Sequence, residues 1–360
     1  VKKILISGYY GFDNAGDEAV LQAIIDALKQ QDADITPIVL SANPDKTAKQ
    51  YKVEAVNRFA FKEVTQAIKE ADGLISGGGS LLQDQTGLLT IPYYIGIIKL
   101  AHLFNKPTFI YAQGIGPVNR KLYYPMIRNA FNKSKYISVR DKDSAMLLKE
   151  IGIPLNRVDI VTDPVLNLEP ISKECVSDIF IKEGITKPPI LISVRFWKED
   201  NTYLEEIARA ADELVRMGEQ VAFVPMHEPT DREASEFVLN RMEEEASLFG
   251  SYDARAILGI MGESKCVIGM RLHSLIFAAA MGVPVIGVSY DPKIDTFLAS
   301  LNQTPVGTTE DLKYRVIFDQ VKHVILHLED NKQELNKKLP ALKELAIMPA
   351  KKITSYFYEN

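Results

Sequence analysis

Several things are scarce in this chain. Its 360 residues hold two cysteines, Cys175 and Cys266, far apart and in no CxxC or Cys/His cluster. That excludes a disulfide framework and a cysteine zinc site, and fits a reducing compartment. No apolar stretch convincingly spans a bilayer: 91–104 is short and carries Lys99, and 274–289 is broken by Gly282 and Pro284. The chain opens Val1-Lys2-Lys3 and runs straight into a strand, with no signal peptide in view, so a soluble cytoplasmic protein is expected. Positive charge is not in excess. Lys and Arg number 42 against 47 Asp and Glu, a net charge of -5, which argues against a duplex nucleic-acid binder but leaves room for a local basic pocket. HExxH, GxSxG, GxGxxG and the Walker lysine are missing, and no Asp/His cluster stands out. Neither a metal nor a cofactor is expected.

What is present is ordinary for a globular protein: 46% hydrophobic and 25% charged residues exclude a disordered chain. The length suits roughly two domains. In the first half, strand candidates at 3–7, 35–40, 73–76, 108–112 and 136–139 alternate with helical spacing near 17–28, 61–70, 92–104, 124–132 and 141–151, with Asp17 a plausible N-cap. Such alternation predicts a parallel sheet with helices on both faces. A segment bracketed by Asp163-Pro164 and Glu169-Pro170 reads as a linker. Strands at 190–194, 220–224, 265–268 and 285–288 then repeat the plan. The expected fold is α/β, two Rossmann-like domains facing across a cleft, covering 1–170 and 171–335. A C-terminal helix over 336–360 is expected to pack back on the first. The segments 73–82 and 266–275 both read as strand, turn and helix start.

In open α/β sheets ligands lie beyond the carboxyl ends of the strands, so the loops there carry the chemistry. In the first, Gly8 to Glu18, Tyr9, Tyr10 and Phe12 offer flat faces for a sugar, and Asp13, Asn14, Asp17 and Glu18 offer acceptors or a proton donor; the alternative is a capped helix with turn residues. Gly77, Gly78, Gly79 and Ser80 follow the next glycine-bounded strand; their N–H groups meet an anion or sugar oxygen ahead of a helix, or make only a tight turn. Gln113-Gly-Ile-Gly-Pro117 shapes a cleft floor, and Arg140 after 136–139 reaches a ligand or pairs with Asp141 or Asp143. The fourth loop holds Arg271, Leu272 and His273, with Lys293 in the loop after the following strand. Two cations at a helix start repel its positive end unless an anion joins them, which is the physical case for an anionic ligand. Arg195 is a further cation at a strand end, with Trp197 beside it to stack on a ring or plug a core. His102, His227, His323 and His327 read as structural.

At these residues the chain resembles the polysaccharide pyruvyl transferase family, and among its members most closely the CsaB-type cell-wall enzymes of bacteria with S-layers. The run Gly8-Tyr-Tyr-Gly-Phe-x-Asn-x-Gly-Asp-Glu-Ala19, the Gly77-Gly-Gly-Ser80 loop, Gln113-Gly-Ile-Gly-Pro117, Ser138-Val-Arg-Asp141 and Arg271-Leu-His273 carry the likeness in order along the chain. The resemblance implies a GT-B-like architecture and transfer of pyruvate from phosphoenolpyruvate, a co-substrate, onto a sugar as a ketal, with phosphate released. It points to β-linked N-acetylmannosamine in a lipid-linked precursor of a secondary cell-wall polymer that anchors the S-layer. It places the donor on Arg271, Leu272, His273 and Lys293, with Arg140 a less secure match, on a donor-side second domain. Arg195 joins them by position, and the first domain becomes the acceptor side. His273 is then the expected proton carrier, with Asp13 or Asp17 supplying the carbon proton. A GT-B glycosyltransferase using a nucleotide sugar and a non-catalytic sugar-binding protein are the competing readings. Lys337, Lys338, Lys351 and Lys352 make a solvated helix face or a peripheral contact with the inner face of a membrane.

Overall fold

Short Val-, Ile- and Leu-rich runs become parallel strands here because almost every residue in them is covered on both faces. The computed structural model describes residues 2–85 and 87–359, and the chain falls into two units: Val1–Leu168 with Leu342–Asn360, and Glu169–Ala341.

The first unit runs β1 (Lys2–Ser7), α1 (Ala15–Gln31), β2 (Ile35–Ser41), α2 (Pro44–Tyr51), β3 (Glu54–Asn57), α3 (Phe61–Glu70), β4 (Gly73–Ser76), β5 (Gly79–Leu82), α4 (Thr90–Leu103), β6 (Thr108–Ile115), α5 (Tyr124–Lys133), β7 (Tyr136–Val139), α6 (Lys142–Ile151) and β8 (Asp159–Ile160). Its sheet has the order β3-β2-β1-β4-β6-β7-β8, with β5 also on β6, and every pairing is parallel. The second unit runs α7 (Lys173–Lys182), β9 (Ile190–Ser193), α8 (Thr202–Arg216), β10 (Val221–Phe223), α9 (Thr230–Leu239), β11 (Ser247–Leu248), α10 (Ala254–Gly262), β12 (Cys266–Gly269), α11 (Leu272–Ala280), β13 (Val285–Ser289), α12 (Pro292–Ser300), β14 (Gly307–Thr308) and α13 (Tyr314–Leu326). Its sheet, β11-β10-β9-β12-β13-β14, is also wholly parallel. The order of strands reverses between β1 and β4 in one sheet and between β9 and β12 in the other. These are the points where an open sheet leaves a crevice.

The last helix, α14 (Leu328–Glu359), begins in the second unit and ends in the first. There Ala346, Ala350 and Ile353 are buried, and Tyr356 and Phe357 put their rings 5.3 and 5.6 Å from Phe109 of β6. The absence of a side chain on Gly73 makes room for Phe357.

Three local expectations need correction. Asn14, not Asp17, caps α1: its side-chain oxygen accepts the Gly16 and Asp17 N–H groups at 3.0 and 3.4 Å, so the helix starts at Ala15. The glycine run at 77–79 opens no helix. Gly79–Leu82 instead pairs with β6 from Gly79↔Gln113 to Leu82↔Ile115 and buries Leu81 and Leu82, and α4 starts only at Thr90. The echo between 73–82 and 266–275 therefore stops at the turn. The short strands β3, β5, β8, β11 and β14 were not foreseen, since two to four residues carry too little pattern to register.

Candidate functional site

The first crevice is framed by the loops after β1 and β4. Ser7 pairs with Ser76, and the Gly77 N–H donates to the Ser7 carbonyl at 2.8 Å, so Gly8 and Gly77 leave the sheet side by side. Tyr10 lies across both glycines, where any Cβ would meet its ring or hydroxyl, and it is fully buried. Tyr10 is thus a core residue here and offers no face to a sugar, a correction to its expected role. Burial, with Asp17 adding to it, holds its hydroxyl pKa well above the ordinary value. Gly78 and Gly79 have packing reasons too. Val20 fills the space beside the first, and the Asp17 carboxylate lies 2.8 Å from where a Cβ of Gly79 would stand, at a φ of +85°.

Tyr9 and Phe12 are stacked on each other at 4.1 Å between ring centroids and are half-buried. Arg58, at the end of β3, supports them and was missed in the sequence. Its guanidinium lies over the rings of Phe12 at 5.2 Å and Tyr93 at 4.5 Å and donates to the Gly8 carbonyl at 2.7 Å and the Tyr94 hydroxyl at 3.3 Å. The only sequence signal was its place one residue past a short strand that carried no pattern. Asp17 stands close enough to raise the hydroxyl pKa of Tyr9, Tyr10 and Tyr94, in each case after burial itself. Asp13 takes another course: at φ 58° it is exposed and paired with Lys46 at 2.5 Å. Glu18 accepts the Gly11 N–H at 2.8 Å and the Tyr51 hydroxyl at 2.5 Å, and burial pushes its carboxyl pKa up. Arg140, past β7, lies against Gly114 and pairs with Asp163 at 3.1 Å, donating also to Ser80 Oγ at 2.9 Å. Its main partner is therefore Asp163; Asp141 stands farther off, at 3.9 Å.

The second crevice gathers more charge. Ser193 of β9 pairs with Gly269 of β12, which in turn pairs with Gly287 of β13. Arg195 and Arg271 each come two residues after a paired strand end. Arg195 donates to the Tyr290 hydroxyl at 2.8 Å and lies over the rings of Tyr290 and Trp197 at 4.8 and 5.3 Å. Tyr203, buried, fixes this loop by accepting the Trp197 N–H at 2.7 Å and donating to the Arg195 carbonyl at 3.0 Å. Arg271 is the N-cap residue of α11, with Leu272 and His273 in its first turn, all partly exposed; the His273 ring stands edge-on to Phe277. Lys293, in the first turn of α12, gives its backbone N–H to Asp291 at 3.0 Å.

The anion that the Arg271 and His273 pair called for is already in the protein. Asp231 of α9, fully buried, takes Arg271 in a two-pronged pair through Nε at 2.9 Å and through Nη2, and also accepts the Met226 N–H. Arg271 keeps 17% of its side chain exposed, so it is neutralised but not sealed off. Cations at a helix start alone therefore do not prove an external anion. Asp231 lay beyond a foreseen strand and could have been found by following the loop after β10 as far as the next helix. His227 in that loop is likewise half-buried at the same edge, whereas His102 is structural, bonded through Nε2 to Thr108 Oγ1 at 2.8 Å.

Among solved structures, the chain is similar over its whole length to the UDP-GlcNAc 2-epimerase of Neisseria meningitidis, at 15% identity and a TM-score of 0.66 with all of both chains covered. It is similar to HepE of Anabaena, solved with UDP and glucose, at 11% identity and 0.67, again with all of both chains covered. It is also similar to a glycosyltransferase of Rickettsia africae at 16% and 0.63, covering 100% of this chain and 99% of that one. At such identities the likeness establishes the fold, the parallel two-sheet α/β architecture of GT-B-type enzymes. No curated protein sequence matches the chain. The family model for polysaccharide pyruvyl transferase matches residues 14–292, more than half of the sequence. The chain belongs to the polysaccharide pyruvyl transferase family.

Proposed function

We propose that the protein transfers pyruvate from phosphoenolpyruvate to a sugar, forming a cyclic ketal and releasing phosphate. The observation that carries the reading is the convergence, in a member of this family, of Arg195, Arg271, His273 and Lys293 at the carboxyl ends of the adjacent strands β9, β12 and β13. Phosphoenolpyruvate bears a carboxylate and a phosphate, and guanidinium groups meet either with paired hydrogen bonds. Asp231 sets the plane of Arg271 for that task, and the Tyr290 hydroxyl and the two flanking rings set Arg195.

The balance of the reaction assigns the remaining work. A proton adds to the methylene carbon of the donor, a sugar hydroxyl attacks the adjacent carbon, and a second hydroxyl closes the ring as the bond to phosphate breaks. The two hydroxyl protons end on the new methyl group and on phosphate. His273 carries a proton between hydroxyl and phosphate, a task suited to imidazole. Of the two candidate carbon acids we favour Asp17, which lies beside Gly79, over Asp13, which is exposed and paired with Lys46. Tyr9 and Phe12 receive the sugar. Arg140, braced by Asp163 and Ser80, orders the first crevice. The acceptor we infer is β-linked N-acetylmannosamine on a lipid carrier, presented in the cytoplasm, on the strength of the resemblance carried by the ordered set of motifs from Gly8 to His273.

The test is phosphate release from phosphoenolpyruvate with a synthetic N-acetylmannosaminyl lipid analogue. Arg271→Ala is expected to lower kcat/KM about a hundredfold, the loss of one or two charge-assisted bonds. Unchanged turnover and donor affinity in that variant would sink the assignment. Thermal stabilisation by UDP-sugars and not by phosphoenolpyruvate would transfer the protein to the nucleotide-sugar glycosyltransferases.

A further inference from the structure

We propose that the first unit holds a phosphate group, carried by the sugar acceptor, against the guanidinium of Arg58. This residue follows β3 and is 7% exposed. Its backbone N–H donates to the Ser41 carbonyl of β2 at 2.9 Å, and its side chain crosses to the loop after β1. Buried charges are ordinarily paired, and a lone one is costly. Among the described residues no carboxylate lies within ion-pair distance of this guanidinium. Its partners are neutral instead. Nη1 donates to the Gly8 carbonyl at 2.7 Å and Nη2 to the Tyr94 hydroxyl at 3.3 Å. The rings of Phe12, Phe59, Tyr93 and Tyr94 lie 4.5 to 5.6 Å from its carbon. Ring faces attract a cation but do not replace the oxygens that its N–H groups require. Nε, itself buried, has no hydrogen-bond partner among the described residues. Nε and the adjacent Nη form the fork that meets the paired oxygens of an anion.

The acids of this crevice do not fill the vacancy. Asp17 and Arg58 act with opposite sign on the hydroxyls of Tyr9, Tyr10 and Tyr94, so both charges border one group of phenols without forming an ion pair. Glu18 accepts from the Gly11 N–H and the Tyr51 hydroxyl, and Asp13 is paired with Lys46. Opposite charges held apart fit a single molecule that bears both an anion and hydroxyl groups, with its anion on Arg58 and a sugar hydroxyl toward Asp17. A neutral sugar would leave Arg58 unmet, and a free inorganic anion would leave Asp17 without a donor. The rings over the guanidinium are a thin cover: Phe12 and Tyr93 are half-buried and Phe59 is 68% exposed, so one aromatic layer separates it from solvent. Ring edges carry partial positive charge and do not repel an anion that passes between them. The inference rests on the proposed function for the identity of the sugar. N-acetylmannosamine has no acid of its own, so the anion belongs to a phosphate ester at its anomeric oxygen.

Calorimetric titration of the full chain with N-acetylmannosamine 1-phosphate, N-acetylmannosamine and inorganic phosphate tests this. No phosphoenolpyruvate is present, so a failed pyruvyl transfer and a failed anion site are separate results. The sugar phosphate is expected to bind about tenfold tighter than either of the other two, the gain of one charge-assisted pair. Arg271→Ala, which disarms the second crevice, should bind it as the parent does. Arg58→Lys keeps the charge without the fork and should lose most of the preference, and Arg58→Met should lose all of it. Melting temperatures accompany both variants, because the Gly8 carbonyl is bonded to this side chain. Crystals of the parent soaked with the sugar phosphate need no variant and should show the phosphate on Arg58 Nε. No binding of the sugar phosphate, equal binding of the sugar without it or of inorganic phosphate, an undiminished preference in folded Arg58→Met, or a soaked phosphate on Arg195 or Arg271 alone would each overturn the proposal.

Discussion

At the scale of single residues, the site is governed by what each charge is paired with. Arg271 was legible as a strand-end cation, but its partner Asp231 sits 40 positions away and no local pattern joins the two. Asp231→Asn removes half of that pair and leaves the guanidinium charge in partial burial. The expected cost is about 3 kcal/mol, the low end for a broken buried pair because Arg271 reaches solvent. Loss of its fixed plane should also raise the KM for phosphoenolpyruvate more than it lowers kcat, which steady-state kinetics and thermal melting would check. Glu18 supplies a pH test. Burial raises its folded pKa above the ordinary 4.5, with the bonds from Tyr51 and Gly11 opposing. A raised acid holds its proton more tightly folded than unfolded, so its contribution is complete below pH 4.5 and is lost as pH climbs through the folded value. The stability of Glu18→Gln relative to the parent should therefore improve over that rise and then level off, as paired melts across the acid-to-neutral range would reveal.

Elements were more legible than their partners. Gly73–Ser76, Phe61–Glu70 and Tyr136–Val139 fall where the spacing placed them, because an apolar run ended by glycine, or one apolar face at helical period, is a local property. The glycine loop was misread for an equally physical reason. Glycine announces freedom of the backbone but not its use, and only the presence of β6 alongside turned Gly79–Leu82 into a strand. Gly79→Ala tests that setting. At φ +85°, with Asp17 2.8 Å from the new Cβ, it should cost about 1–3 kcal/mol and shift the Asp17 carboxylate away from the crevice. A drop of several degrees in melting together with slowed turnover is the expected result; an unchanged protein would mean that the loop relaxes freely.

For the whole molecule, two sheets with the same plan each carry a crevice at their point of strand reversal, and α14 belongs to both units in sequence. Its last turns complete the first unit by covering Phe109 and Gly73. Ile353 is fully buried there, so Ile353→Ala should cost about 2–5 kcal/mol. Hydrogen exchange would locate the loss: faster exchange in β4 and β6, with β9 and β12 unaffected. Equal loosening of the second sheet would show that the helix couples the two units.

The sequence by itself determined the alternation of strands and helices, the repetition of that plan and the family it resembles, because all of these are written in neighbouring residues. Tertiary structure alone decided that Tyr10 is core, that Arg58 braces the aromatic platform, that Arg140 rests on Asp163 and that Arg271 already holds an anion. Each of those is a meeting of side chains from different strand ends, and a linear pattern carries no record of which distant partner satisfies a buried charge or fills the space above a glycine.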